Sequence, residues 1–151
     1  MDVVRAHGKH RPAPRDRYTG GVWIGTESVL TEPSHLRTYS AQFSPGARTA
    51  WHRDPHGRVL HVLYGAGRVQ RRGGPVLEVG AGDTVVVHAG EWHWHGAAPN
   101  SCFAVLSTGG TGGDGTEWAA HVSDAEFLRP ALPASTPAPD PNRTPWREPS
   151  W

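Results

Sequence analysis

Residues 45–58 read PGARTAWHRDPHGR, and this stretch indicates both how the chain folds and where its chemistry lies. Proline and glycine interrupt the stretch near its ends, while its middle carries His52 and Asp54 two residues apart. Residues two apart on a β-strand point to the same face, so both side chains can reach one cavity. An imidazole and a carboxylate on one wall of a cavity are suitable ligands for a transition metal.

A second stretch, residues 82–96, reads GDTVVVHAGEWHWHG and repeats this arrangement. His93 and His95 again lie two residues apart, and six of the ten histidines fall between positions 52 and 95. Two imidazoles and a carboxylate suit a divalent transition metal and leave coordination positions open for chemistry. This clustering of histidines is the reason to expect a metal site.

Short apolar or alternating runs, cut by glycine and proline, fill the chain from residue 22 to about residue 122. Many short strands at such spacing are typical of an all-β sandwich or barrel. No glycine-rich loop follows a strand and opens a helix, so a dinucleotide-binding fold is not supported. The predicted strands are residues 22–24, 36–43, 50–52, 59–64, 67–71, 84–88 and 102–107.

Three parts follow from the composition along the chain: a polar arm over residues 1–20, a barrel over residues 21–128 and a proline-rich tail over residues 129–151. The tail region holds seven of the fourteen prolines and cannot build a core of its own. One short helix should begin near the end of the barrel, where Ser123 and Glu126 have the spacing of a capping box.

The composition also limits the partners and the compartment. A chain of 151 residues fits one domain, and a formal net charge of +1 gives no broad charged face for nucleic acid. Cys102 is the single cysteine, which excludes an intrachain disulfide and a cysteine-based zinc site. The first residues lack the apolar core of a signal peptide, and no apolar run approaches the length of a membrane span. We therefore expect a cytoplasmic protein without membrane or nucleic-acid partners.

The two stretches resemble the paired motifs of the cupin superfamily, G-x5-H-x-H-x3,4-E-x6-G and G-x5-P-x-G-x2-H-x3-N. The first motif runs here from Gly46 to Gly65 and the second from Gly82 to His93, with the glycine and histidine spacing kept. The sequence of the two stretches is also similar to that of small single-domain bacterial cupins, a group that includes manganese-dependent hydroxynitrile lyases. The resemblance covers about residues 20–128 and implies a single-domain double-stranded β-helix, or jelly-roll barrel, that forms a homodimer.

Two positions depart from the pattern of that group, which would have histidine at 54 and glutamine at 58. The resemblance implies that His52 and His93 bind the metal, manganese, iron or zinc, with Asp54 as a substitute carboxylate ligand. Arg58 cannot bind a metal, because a guanidinium has no lone pair to give and stays charged. Either Arg58 grips an anionic substrate beside the metal, or it pairs with Asp54 in a site that has lost its metal.

Further residues are predicted to act around this site. His95 shares the face of His93 and could move a proton, since an unperturbed imidazole titrates near working pH. His56, in the turn after Asp54, is an alternative third ligand. The strands around the first motif should line an apolar substrate pocket with Tyr39, Ala41, Phe43, Leu60 and Val62.

Three functions are open on these grounds. The first is metal-dependent acid/base chemistry on a small organic molecule, of lyase, isomerase or cyclase type, with His95 and Arg58 as the catalytic residues. The second is a non-haem Fe(II) oxygenase that uses His52, Asp54 and His93 as ligands. The third is a metal-free binding protein in which Arg58 and Asp54 close the site. Metal content separates the third function from the others, and oxygen consumption with Fe(II) separates the second from the first.

Overall fold

The computed structural model describes residues 1–6, 10–111 and 115–133. Strands dominate this part of the chain, and one short helix lies near its end. The strands are β1 (Arg11–Pro12), β2 (Tyr18–Thr19), β3 (Val22–Leu30), β4 (Leu36–Phe43), β5 (Arg48–Thr49), β6 (His52–Arg53), β7 (Arg58–Arg71), β8 (Leu77–Gly80), β9 (Thr84–Val87), β10 (His93–Ala97), β11 (Phe103–Gly110), β12 (Glu117–Trp118) and β13 (Leu132–Pro133), and the helix is α1 (Asp124–Phe127).

Strand β7 is long enough to belong to both halves of the barrel. Residues 58–65 pair with β9 and β11, and residues 66–71 pair with β8 and β10. The bend falls at Gly65, whose φ is 79° and where a Cβ would overlap the carbonyl oxygen of Cys102. Only glycine fits there without strain. Pairing in the order β1-β3-β4-β11-β7-β10-β5-β2 then curls the sheet round on itself.

Two clusters of buried apolar side chains hold the curled sheet together. The smaller cluster packs Trp51 and Trp94 against Val122 and Phe127, so these tryptophans lie apart from the neighbouring histidines. Trp94 is fully buried, and its Nε1–H donates to Gln70 at 2.8 Å, so its polar atom is satisfied. The main core comprises Val22, Ile24, Ala41, Phe43, Ala47, Val62, Val69, Val79, Ala97, Phe103 and Val105.

The predicted capping box is confirmed at the start of α1. The Ser123 hydroxyl accepts from the backbone N–H of Glu126, and the Glu126 carboxylate accepts from the backbone N–H of Ser123. Arg48 anchors this region to β5 by donating to the carbonyl of Val122 at 2.7 Å and to Asp124 at 2.8 Å. α1 has four residues, and no helix in the described residues has the length and hydropathy to cross a bilayer.

The strands differ from the prediction where backbone pairing overrides the local pattern. Of the predicted strand at residues 50–52 only His52 lies in a strand. The N–H groups of Ala50 and Trp51 donate to the carbonyls of Arg17 and Ala120 instead of to a neighbouring strand of the barrel. Residues of the predicted N-terminal arm also join the sheet: β1 pairs with β3, and β2 pairs with β5. Most of the predicted proline-rich tail, from residue 134 onward, lies outside the described residues.

Candidate metal centre

Three buried histidines, His52, His93 and His95, meet where β6 lies beside β10. His93 is the antiparallel partner of His52, and His95 lies two residues further along β10. Each histidine offers one ring nitrogen, and these nitrogens all lie within 4.8 Å of one another. Nitrogens bound to one metal at about 2.1 Å lie within about 4.2 Å of each other. The three nitrogens therefore lie close to the spacing that one shared ion requires.

Hydrogen bonds fix how two of the rings face the centre. The Nδ1–H of His52 donates to the carbonyl of Ala50 at 2.9 Å, and the Nδ1–H of His93 donates to the carbonyl of Glu91 at 3.0 Å. Each neutral ring therefore keeps a lone pair on Nε2, as in metal sites whose outer-shell carbonyls orient the histidines.

Two buried ring nitrogens indicate that the cluster suits a metal. Among the described residues, His93 Nε2 and His95 Nδ1 have no hydrogen-bond partner. A buried polar atom without a partner costs free energy and needs an explanation. A metal ion shared by the three rings would supply such a partner, so the donor set fits a metal.

Burial keeps the three rings in the neutral form that can bind a metal. Burial, followed by the charge of the nearby His93, lowers the pKa of His52 from 6.5 to about 3. Burial likewise lowers the pKa of His93. For His95, burial followed by the charges of His52 and His93 lowers the pKa well below its ordinary value. Because metal ligation requires neutral imidazole, the site holds its ligand form at neutral pH.

Protein treated with a chelator should lose stability as the pH falls below 6.5, because these pKa values are lowered. Between pH 6.5 and about 3 the unfolded chain takes up a proton at His52 and the folded protein does not. The free energy of unfolding should fall by about 1.4 kcal/mol per pH unit for each ring that stays neutral. Urea unfolding between about pH 7.5 and about pH 5 measures this slope. The slope should persist in His61→Ala, which removes an exposed histidine, whereas a flat profile would contradict neutral buried rings.

Asp54 does not join the histidines, because Arg58 takes both of its oxygens. Arg58 Nε donates to Asp54 Oδ2 at 2.8 Å and Nη2 donates to Oδ1 at 2.9 Å, while Thr116 donates to Oδ1 at 2.5 Å. Burial would raise the pKa of Asp54, but the hydrogen bonds and charge of Arg58, with help from Thr116, lower it. Arg58 Nη1 donates to the Tyr39 hydroxyl at 3.0 Å and to Ser107 Oγ at 2.7 Å. Four of the five guanidinium N–H groups are thus bonded, and the Asp54 carboxylate offsets the positive charge of Arg58.

The structure places the predicted ligands in two groups. His95, rather than Asp54, lies with His52 and His93. The alternative ligand His56 lines a separate recess together with Asp54 and Arg58.

A cavity of about 340 Å³ reaches two of the three histidines, His52 and His95, and Tyr39 and Trp118 also belong to its lining. Trp118 lies opposite His52 in the pairing of β12 with β6 and stacks on its ring, with centroids 4.6 Å apart and planes 21° apart. Sequence reasoning missed Trp118, because its place beside His52 depends on strand pairing across 66 positions of separation, from 52 to 118. No local motif signals that pairing.

The predicted pocket residues divide between the cavity and the core. Tyr39 lines the cavity that opens onto the histidines. Leu60 lines a second, apolar cavity with His93 and His95. Three other predicted pocket residues, Ala41, Phe43 and Val62, lie in the main core. They form the packed wall behind the site, and the Phe43 ring lies 5.7 Å from the His95 ring.

A curled β-sheet that presents histidines from two motif strands to an internal cavity defines the class of this protein, and the chain belongs to the cupin family. The Cupin domain family (Cupin_2) matches residues 39–108. The chain is also similar to the (R)-mandelonitrile lyase of Granulicella tundricola, with 40% identity over 134 residues. That alignment covers 85% of this chain and 100% of the lyase.

Solved structures agree with this fold. A cupin-like protein from Thermotoga maritima is 32% identical, with a TM-score of 0.73 over 84% of this chain and 95% of its own. The polyketide cyclase RemF from Streptomyces resistomycificus is 17% identical, with a TM-score of 0.65 over 84% of this chain and 90% of its own. At that identity the likeness to the cyclase concerns the fold alone. The predicted cupin barrel and the predicted resemblance to hydroxynitrile lyase-like cupins are confirmed.

Proposed function

We propose that this chain is a metal-dependent enzyme of lyase type, with the metal bound by His52, His93 and His95. The observation that carries the proposal is the buried histidine cluster, in which two ring nitrogens lack a partner among the described residues. Similarity over the full length of an (R)-mandelonitrile lyase supports lyase chemistry. Cleavage of a cyanohydrin to an aldehyde and hydrogen cyanide is therefore the first reaction to test.

The donor set favours a metal that accepts imidazole. Three imidazoles suit zinc or iron, whereas manganese prefers carboxylate and carbonyl oxygens. Since Arg58 holds both oxygens of Asp54, we propose zinc or Fe(II) rather than manganese. When bound, such an ion would polarise the substrate oxygen as a Lewis acid.

Tyr39 is a candidate for proton transfer to and from the substrate. Its hydroxyl oxygen accepts from Arg58 Nη1, so its own O–H is directed to another acceptor, and Tyr39 lines the cavity. In cyanohydrin cleavage the substrate hydroxyl loses its proton, the carbon–carbon bond breaks, and the electron pair leaves with cyanide. We propose that Tyr39 gives a proton to the departing cyanide and recovers one from the substrate hydroxyl. His95, predicted as the acid/base residue, is assigned to the metal instead.

Metal analysis of the full-length protein, combined with an assay of benzaldehyde release from (R)- and (S)-mandelonitrile, tests the proposal. We expect stoichiometric zinc or iron and a cleavage activity that EDTA abolishes and added metal restores. Tyr39→Phe should keep the metal and lower kcat about 10²-fold, as for a positioned proton-transfer group. A metal-loaded protein that cleaves neither enantiomer would contradict the lyase proposal.

A second candidate function is small-molecule binding without a metal. The Arg58–Asp54 ion pair favours it, because this pair fills two positions that are ligands in the related motif. Under that function, protein soaked in zinc, iron or manganese should retain none of them after gel filtration. The Fe(II) oxygenase hypothesis required Asp54 as a ligand, and the bonds from Arg58 to both its oxygens give that hypothesis no support.

A further inference from the structure

We infer that the cavity beside the histidines binds a small aromatic carboxylate, held at the cavity mouth by Arg11, Arg17 and Arg37. The inference rests on the proposed function, because it takes this cavity as the substrate site. From the sequence, Arg58 was one candidate for binding an anionic substrate. The anion is placed elsewhere here, because Arg58 already bonds to Asp54, Tyr39 and Ser107.

Positive charge dominates the lining of this cavity. Arg11, Arg17, Arg37 and Arg58 line it, and no carboxylate of the described residues does. The charge of Arg58 is offset by Asp54, which lies behind the cavity wall in the neighbouring recess. The other three arginine side chains are 67%, 50% and 40% exposed, against 11% for Arg58, so they lie toward solvent at the cavity mouth. Cationic groups beside low-dielectric walls attract small anions there.

The three arginines at the mouth are only partly neutralised. Arg37 contacts both oxygens of Glu27, from Nε at 2.6 Å and from Nη2 at 3.2 Å, and Arg11 lies 3.8 Å from the same carboxylate. Arg17 lies 4.0 Å from Asp16, with 50% and 77% of the two side chains exposed. Such exposed pairs are weak. The mouth therefore carries more guanidinium charge than carboxylate charge, and a bound anion would offset the excess.

Aromatic rings hold two of these arginines against the cavity wall. The guanidinium of Arg37 lies 5.0 Å from the centre of the Tyr39 ring, and that of Arg17 lies 5.4 Å from the Trp118 ring. Among the described residues no acceptor hydrogen-bonds the Arg17 guanidinium, so two of its N–H donors can match the two oxygens of a carboxylate. Arg37 has Nη1 left beyond its contacts with Glu27. Trp118 also stacks on His52. A carboxylate at Arg17 would therefore leave the rest of the ligand beside the histidine cluster.

The volume of the cavity limits the size of its ligand, and its aromatic walls favour a flat molecule. Its volume of about 340 Å³ is at the lower end of the range for small-molecule pockets. Tyr18, Tyr39 and Trp118 give it aromatic walls, which suit an aromatic ring. The net charge of +1 gives no wider basic surface for an extended polyanion. The substrate class is therefore an aromatic cyanohydrin or aldehyde that bears a carboxylate.

Isothermal titration of the full-length, EDTA-treated protein with benzoate and with benzamide, its neutral counterpart, tests this inference. Benzoate should bind at least about tenfold more tightly, the difference expected from one charge-assisted hydrogen bond. Arg17→Gln and Arg37→Gln should each weaken benzoate binding about tenfold or more and leave benzamide binding nearly unchanged. Added salt should weaken the binding of benzoate alone.

Arg72→Gln is the matched control, because Arg72 stacks on Trp51 and Trp92 and does not line the cavity. Its affinity for benzoate should equal that of the parent protein. If the parent binds benzoate no better than benzamide, or does not bind benzoate, the inference is wrong whether or not the arginine variants fold.

His52→Ala separates this inference from the proposed function. The variant should lose the metal and the lyase activity yet keep arginine-dependent binding of benzoate. If benzoate binding instead depends on His52 and not on Arg17 or Arg37, the anion sits on the histidines and the inference alone fails. If arginine-dependent benzoate binding is present but the parent cleaves no cyanohydrin, the proposed lyase function alone fails.

Discussion

Replacement of His95 by alanine should remove the bound metal and the lyase activity as fully as replacement of His52 or His93. Each ring supplies one of three nitrogens that lie within 4.8 Å of one another, so only two ligands remain in any single variant. Removal of a residue that only supports a ligand lowers metal affinity about 10–100-fold, and removal of a ligand itself should lower it by more. Asp54→Asn should keep the metal, because Arg58 already holds the carboxylate. Metal content after gel filtration measures each outcome.

The comparison of His95→Ala with Asp54→Asn decides between the two ligand sets. His61→Ala is the matched control, because His61 is exposed and bonds to Thr84 at 3.1 Å on the other face of β7. Circular dichroism checks that each variant is folded, and His95→Asn is the smaller change if His95→Ala unfolds. Metal loss in Asp54→Asn with retention in His95→Ala would favour the set of His52, Asp54 and His93 predicted from sequence.

The cupin barrel was predictable because the glycines and histidines of the motifs keep their spacing. Gly46 and Gly65 begin and end the first motif, and both adopt positive φ, at 76° and 79°. Glycine is the residue that accepts this conformation readily, so the spacing encodes turns and bends. The continuity of β7 was not predictable, since a glycine-rich segment is typical of a turn. In the structure Gly65 bends the strand without interrupting its pairing.

The candidate site was only partly predictable, because its geometry depends on distant parts of the chain. Two-residue spacing placed His93 and His95 on one face of a strand, and the motif resemblance joined His52 to His93. The sequence left open whether Arg58 binds a substrate or pairs with Asp54, and it gave no sign that the distant Thr116 also bonds to Asp54. The arginine-lined mouth depends on an N-terminal segment with no periodicity of its own. The homodimer expected from the resemblance stays a prediction.

The buried Arg58–Asp54 pair leads to the largest expected loss of stability. The two side chains are 11% and 5% exposed, and Arg58→Gln would leave the Asp54 carboxylate buried with Thr116 as its remaining partner. Removing one partner of a buried ion pair costs about 3–5 kcal/mol, because the other charge stays buried without compensation. Urea unfolding at neutral pH measures this loss.

Arg53→Gln is the matched control for that measurement. Arg53 pairs with Glu117 at 2.6 Å, a distance similar to that of the Arg58–Asp54 pair, but its two side chains are 44% and 55% exposed. Water solvates both charges when such a pair is broken, so the loss should be at most about 1 kcal/mol. A similar loss in both variants would contradict the importance of burial.

The pH dependence of the stability gap between the parent and Arg58→Gln tests whether charge is the cause. In the parent, Arg58 lowers the pKa of Asp54, so its contribution is present above the ordinary value of 3.8 and is lost as the pH falls below it. In Arg58→Gln the burial that raises the pKa of Asp54 is opposed mainly by the hydrogen bond from Thr116 and no longer by Arg58, so the variant regains stability by taking up a proton as the pH falls. The gap should therefore narrow from about pH 7 toward about pH 4.

The double variant Asp54→Asn with Arg58→Gln completes the test, because it replaces both charges with neutral amides and keeps the shape of the Asp54 side chain. It should recover most of the stability that Arg58→Gln loses at neutral pH, since no buried charge is left without a partner. If the double variant is no more stable than Arg58→Gln, the packing of the arginine side chain sets the loss. If the double variant recovers stability, and the stability difference between the parent and Arg58→Gln narrows at low pH, then Asp54 requires Arg58 as its counter-charge. Asp54 would then be bound to Arg58 rather than to a metal at the histidines.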